Sequence, residues 1–369
     1  SICVRNPGRP AIKLSVCPAS DNGAKDLLDS ITQAALGAGV GALVMGRTRP
    51  LWQGALAGAV LGTLPDLDVF LDKGDPVRDM VLHRAETHAL FWQALASPLI
   101  ALLPAALTRT LALFGRWWLA TLLVLATHSL LDAMTVYGTR LGLPFTDHPF
   151  GLGSLFIIDP LYTLLLLGGI ALGLRRGGEA GRRWNAVGLI LSTLYAGWSV
   201  AAQAHISERV RTTPQAQGVA TEHILVTPTP FNTLLWRVVL LHEDTYDEAF
   251  VSLFDPVVAP ARPIRFERFS RGAELERTTA EFRDANLIRE FSKGFYALSD
   301  NGEQVWITDL RMGLHPFYAF AFVFAEHQSE PLRATGPIPV GRRLPFGPGI
   351  DWLWQRLRGH DLPPPGRIR

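Results

Sequence analysis

Only two cysteines occur in the chain, Cys3 and Cys17, both close to its start. That excludes a disulfide framework and any cysteine-based metal site in the remainder. Charge of one sign is also lacking. The net charge is +2, and no lysine/arginine-rich run carries interleaved aromatics, so nucleic acid is not an expected partner. Residues 1–26 hold Pro7, Pro10, Pro18 and Gly23 but no apolar run of the kind a secretory signal needs, and they read as a disordered N-terminal extension outside the fold.

Apolar residues, by contrast, are abundant. They make up 48% of the chain, the mean hydropathy is +0.18, and they are concentrated between Ile31 and Ala202. A helix crossing a bilayer needs about 20 mostly apolar residues. Five segments meet that expectation: Leu51–Leu71, His88–Leu107, Trp117–Met134, a stretch from Pro160 to Arg175, and Trp184–Ala202. Ile31–Met45 is a marginal sixth, with Ser30 and Gln33 placed as a capping box at its start. Gly37, Gly41, Gly54, Gly58 and Gly62 are spaced to let two helices approach closely. The expected fold is therefore an α-helical polytopic membrane domain of five to six spans, residues 27–203. A small β-rich extramembrane domain (204–329) and a Pro/Arg-rich tail (330–369) follow it.

Loop charge sets the expected orientation. Arg47, Arg49, Arg109, Arg116, Arg175, Arg176, Arg182 and Arg183 face one acid, Glu179, in one set of loops. The alternate set carries Lys73, Arg78, Arg84 and Arg140 against five acids. The positive-inside rule makes the first set cytoplasmic and puts the C-terminal domain outside. Within that domain, short β-type runs at Ile224–Val226, Trp236–Leu241, Ala249–Phe254, Ile264–Phe269, Gly294–Leu298 and Gln304–Thr308 are separated by turn residues. Asp300-Asn301-Gly302 is a strong hairpin signal. Ile350–Leu357 reads as an amphipathic piece for a membrane surface.

The chemistry lies in polar residues at the span ends. Asp66 and Asp68 end the second span, and His83, Arg84, Glu86 and His88 lead into the third. His128 and Asp132 lie near the end of the fourth, and Asp159 opens the fifth. Alternating topology gathers all of them at the outer face. Ionisable groups at membrane depth cost at least about 2.5–3.5 kcal/mol each and need partners. Neutral histidine with ionised aspartate is a usual ligand set for zinc and similar divalent ions. His128 and Asp132 share a helix face at i,i+4. His83 joins His88 in one site only if it lies in the loop before the helix. Asp159 before Pro160 reads equally well as a helix N-cap, and Asp68 equally well as a solvated interfacial carboxylate. His148, His205, His223 and His242 are scattered and read as non-ligands.

Asp29–Gly37, Leu64–Asp68, His83-Arg84 with Thr87-His88, Thr127–Asp132, Tyr137–Thr139 and Phe156–Thr163 together resemble the YdjM-like, LexA-regulated, membrane-bound metal-dependent hydrolases. That family is itself distantly similar to zinc-dependent phospholipase C and P1-type nucleases. Pro228–Asn232 and Thr308–Gly313 resemble the C-terminal part of its longer members. The resemblance implies a metal held by Asp66, His88, His128 and Asp132, with His83 and Asp68 next. Ala85-Glu86 departs from the family pattern, and the four-residue His/Glu pair that completes the site of the soluble enzymes is not evident.

The expected function is an inner-membrane, metal-dependent hydrolase acting on phosphoester bonds of lipid headgroups or similar groups. Zinc is the expected metal, with manganese as an alternative. Asp66 or Glu86 would take the proton and Arg84 would hold the phosphate. A transporter, or a scaffold with a structural metal, are the other readings.

Overall fold

The structure is a computed structural model that describes residues 23–256, 263–327, 332–342, 345–360 and 362–363, with side chains from Ile31 onward. Residues before Gly23 lie outside what is described; the first helix starts at Gly23, inside the stretch 1–26 expected to be an extension, so Ser30 lies within the helix and Ser30 with Gln33 does not cap its start. Seven helices come first: α1 (Gly23–Met45), α2 (Leu51–Gly62), α3 (Pro76–Leu82), α4 (Leu90–Leu107), α5 (Phe114–Ala133), α6 (Pro160–Arg176) and α7 (Gly178–Arg211). Among the described residues, three helical stretches are long and apolar enough to cross a membrane: Leu90–Leu107, Leu111–Ala133 and Gly178–Arg211.

The expectation of five to six spans is therefore corrected to three. The apolar run at Leu51–Leu71 joins two different things. Helix α2 stops at Gly62 after 12 residues, about 18 Å at 1.5 Å per residue, and Pro65–Phe70 forms a separate 3-10 turn. Helix α6 is 17 residues long and ends at Gly177, whose φ of +63° breaks the helix. The apolar part of α1, Ile31–Met45, is shorter still.

The helices pack inside out relative to a water-soluble bundle. Leu95, Leu99 and Leu103 on α4 and Ile190 and Leu194 on α7 point outward, whereas Ser97, Ala101, Asn185, Ser192 and Ser199 are buried. Small and polar residues inside with large apolar ones outside is how helices pack where lipid is the solvent. Helices α1 and α2 touch backbone to backbone through glycines. A Cβ on Gly58 would collide with the Gly37 carbonyl, and one on Gly54 with that of Gly41.

A β-rich region follows α7, which runs unbroken to Arg211. One antiparallel sheet has the order β1 (Ile224–Pro228), β2 (Leu235–Leu241), β3 (Thr245–Ser252), β4 (Glu267–Ser270). The other comprises β5 (Tyr296–Asp300), β6 (Gln304–Asp309), β9 (Ala321–Glu326) and β10 (Arg333–Pro339), in the order β10-β9-β6-β5, with β7 (Gly313–Leu314) and β8 (Phe317–Tyr318) as a short ribbon between β6 and β9 in sequence. The Asp300-Asn301-Gly302 hairpin forms, with Gly302 at φ +83° and its amide donating to Asp300 Oδ1 at 2.7 Å. Strand β10 comes from the stretch expected to be tail. Helix α8 (Arg283–Phe291) packs with Val77, Met80 and Tyr137 in one core, so the β-rich region sits against the helical end that carries the polar residues.

Helix α9 (Phe346–Leu357) was expected on a membrane surface. It instead buries Trp352 and Leu353 against Leu235 and Phe250, and Arg356 forms a two-pronged pair with Asp255 at 2.7 Å.

Candidate metal centre

Four side chains from three separate segments converge. Asp66 comes from the 3-10 turn after α2, His88 from the turn before α4, and His128 and Asp132 from one face of α5. His88 Nε2 lies 3.1 Å from His128 Nε2, 3.3 Å from Asp66 Oδ1 and 3.1 Å from Asp132 Oδ2. His128 Nε2 lies 3.4 Å from each of the same two carboxylate oxygens. The side chains of His88, His128 and Asp132 are at most 2% exposed, whereas that of Asp66 is 18% exposed, so Asp66 forms the mouth.

Local sequence explains the convergence. Pro65 opens the 3-10 turn that swings Asp66 under the end of α2. Asp75 caps α3, accepting from the Arg78 amide, with Pro76 in the first turn. Arg84 then takes a left-handed backbone (φ +62°), which turns the chain back so that His88 enters the cluster.

The outward nitrogen of each imidazole is assigned by its partner. His128 Nδ1 meets the Gly62 carbonyl at 2.7 Å; a carbonyl only accepts, so Nδ1 carries the hydrogen. Thr87 Oγ1 donates its one hydrogen to Asp68 Oδ2 at 3.2 Å, and therefore accepts from His88 Nδ1 at 2.9 Å. Both Nε2 atoms then present lone pairs to one another and to two carboxylates. Asp132 Oδ2 is buried and accepts no hydrogen bond.

Lone pairs and carboxylates aimed at one point repel unless a cation lies among them. Five of the six edges between these atoms are 3.1–3.4 Å, a spacing that suits four ligands around one ion. For ligands about 2.0–2.1 Å from a zinc ion such edges are about 3.3–3.4 Å. Two neutral imidazoles and two carboxylates also balance a divalent charge. The residues fit the metal.

The remaining sequence candidates fall elsewhere. His83 ends α3 and bonds Asp68 through Nδ1 at 2.8 Å, so it is not in the cluster. Asp68 is buried, not solvated at the interface, and holds His83, the Arg84 amide and Thr87. Burial pushes its carboxyl up, but the hydrogen bond and charge of His83, with Lys73, outweigh this and hold it below the usual carboxylate range.

Asp159 caps α6, accepting from the Leu161 and Tyr162 amides and the Tyr195 hydroxyl, so the cap reading stands in place of the ligand one. Glu86 is exposed on its turn and outside the group of four. Arg84, expected to hold phosphate, is 2% exposed. It lies behind the site with Nε 3.4 Å from Asp132 Oδ2 and a hydrogen bond to Thr135, placed to counter Asp132 rather than to meet a substrate.

Three residues that hold the ligands were not expected at the site. Gln33 donates to Asp132 Oδ1 at 2.8 Å, and the signal for it was a long polar side chain in an Ala/Gly helix. Thr87 and the Gly62 carbonyl fix the imidazoles; the sequence marks Thr87 only as part of the Thr87-His88 motif and Gly62 only as a helix-contact glycine.

A membrane helical frame with a buried His₂Asp₂ cluster at one end defines a metal-associated, multi-pass membrane protein. Residues 28–206, the helical part of the chain, match the family model described as YdjM inner membrane protein. Comparison with curated proteins and with solved structures finds no match.

Proposed function

We propose that this chain is a metal-dependent hydrolase of phosphoester bonds, with its site facing the outer side of the inner membrane. The observation that carries the reading is the convergence of Asp66, His88, His128 and Asp132, with both histidines oriented from behind. Zinc suits this donor set, and manganese is the alternative. When bound, such an ion brings the pKa of a coordinated water to about 7 and polarises a phosphoryl oxygen.

The protein's own part is positioning. Gly62 and Thr87 hold the two imidazoles, and Gln33 and Arg84 hold Asp132. Asp66, the accessible member, would leave its corner of the cage to a water and take that water's proton, with His88, His128 and Asp132 holding the ion. Excess arginine in the loops at the opposite helix ends supports the outer placement of the site, and of the β-rich region beside it.

The test is elemental analysis of detergent-purified protein together with turnover of bis(p-nitrophenyl) phosphate. Stoichiometric metal and turnover, both lost in His128→Ala, are the expected result. Metal-loaded protein that turns over no phosphoester would overturn the hydrolase reading. It would favour a structural metal, a reading that the four protein ligands also suit, since structural zinc sites are closed by four.

A further inference from the structure

The only accessible ligand of the cluster sits in an apolar loop. Asp66 lies in the Pro65–Phe70 turn, and Leu67, Val69, Phe70 and Leu71 beside it are all exposed, Phe70 to 82%. Five consecutive positions carrying four exposed large apolar side chains would be costly in water, at about 25 cal/mol per Å² left uncovered. The uncovered face has an evident continuation. Leu56 and Val60 on α2 and Leu95 and Leu99 on α4 are exposed in the same way, on a membrane-embedded bundle.

The level of the loop is marked as well. Phe91 and Trp92 open α4 three and four residues after His88, and Phe145 (77% exposed) stacks edge-on against Phe91 at 5.2 Å. Aromatics of this kind gather at the membrane–water boundary. Asp72, next after Leu71, is exposed, and Lys73 turns back to pair with Asp68 at 3.6 Å, so the apolar run ends at Leu71.

We propose that the Leu67–Leu71 segment is seated in the lipid leaflet. The mouth of the metal site then opens at headgroup depth, and its substrate is a phospholipid-like amphiphile that arrives from the bilayer. This rests on the hydrolase reading for the word substrate, but the seat of the loop does not. Acyl chains run along the exposed faces of the loop and of α4, and the phosphoester reaches Asp66 without leaving the membrane.

The seat is tested without catalysis. In a background of Cys3→Ser and Cys17→Ser, a nitroxide is attached at Phe70→Cys or Asp72→Cys and the protein is reconstituted in phosphatidylethanolamine/phosphatidylglycerol vesicles. The Phe70 label should collide with dissolved oxygen more than with an aqueous nickel chelate, and the Asp72 label should show the reverse. Equal nickel access at both positions overturns the proposal.

The substrate class is tested with Phe70→Asp/Leu71→Asp. Hydrolysis of phosphatidylglycerol in vesicles should fall by about tenfold or more, as carboxylates at that depth unseat the loop. Metal content and turnover of soluble bis(p-nitrophenyl) phosphate should hold. Equal loss on both substrates with metal retained overturns the lipid route. If metal-loaded wild type hydrolyses neither substrate, the hydrolase reading fails, and oxygen-rich contact at Phe70 still supports the seat of the loop.

Discussion

Arg311, in the β-rich region, donates from Nη1 to the carbonyl oxygen of Tyr137, just beyond α5, at 3.1 Å. The same guanidinium is paired with the fully buried Asp309 at 2.7 Å and lies over the Phe291 ring. Tyr137 in turn donates to the Met80 carbonyl, stacks edge-on against His83 and lies beneath the Arg84 guanidinium. A continuous run of contacts thus joins the β-rich region to the residues behind the cluster. Arg311→Ala leaves Asp309 charged and buried without its partner, which should cost about 3–5 kcal/mol. A lowered thermal midpoint in detergent, with weaker metal retention, is the expected outcome. Unchanged values for both would show that the β-rich region does not brace the site.

Thr87→Val keeps the shape of the side chain and removes the hydroxyl that relays Asp68 to His88 Nδ1. His88 then loses the partner that fixes its ring and its tautomer. Losing such outer contacts commonly costs 10–100-fold in metal affinity. Competition with a chromogenic chelator should show a drop of about that size, with the α-helical circular dichroism unchanged. Affinity equal to wild type would mean that packing alone holds His88 in place.

Much of the site was legible because membrane helices make polar residues conspicuous. His128 and Asp132 stand out at i,i+4 in an apolar stretch, and Asp66 and His88 flank it at chain positions that the alternation of helices brings to one end. Their convergence holds even though the span count does not, since α4 and α5 alone, as an antiparallel pair, set His88 beside Asp132. The count failed at Leu51–Leu71, where hydropathy cannot tell a crossing helix from a short helix plus an apolar turn. The tight backbone of Pro65–Phe70 is what separates them. Arg84 departs from its expected exposure for a related reason. A loop position suggests exposure, but its left-handed backbone turns the side chain inward, toward Asp132. Strand β10 went unread because Arg, Gly and Pro are poor strand formers. It forms as an edge strand, where proline is tolerated.

The glycine contact between α1 and α2 should matter to the metal as well as to the fold. Gly62, whose carbonyl orients His128, ends the helix that Gly54 and Gly58 press against α1. Gly58→Val places a Cβ in the Gly37 carbonyl and forces the two helices apart. Gly62 then moves away from His128. Gly115→Ala is the control, as nothing lies within 4 Å of a Cβ there. The expected result is early thermal aggregation and lost metal in Gly58→Val, with Gly115→Ala like wild type. Gly58→Val that retains stoichiometric metal would uncouple helix spacing from the site.

The β-rich region should carry its own acid limit, centred on Asp247. Arg268 grips this carboxylate at 2.7 and 2.8 Å, and His242 Nε2 lies 3.1 Å from it. Burial pushes the carboxyl up, but Arg268 and His242 outweigh that and hold it below its ordinary value. A carboxylate that is more acidic folded than unfolded contributes stability that is fully present above the unfolded value, about 3.9, and is lost as the pH falls through the folded one. The gap in thermal midpoint between wild type and Asp247→Asn should therefore be full at pH 6 and should shrink as the pH falls below about 4. Arg268 is largely solvent-exposed, so added salt should narrow the gap at pH 6 too. A gap that is the same at pH 6 and pH 3 would mean that Asp247 acts through packing and not through its charge.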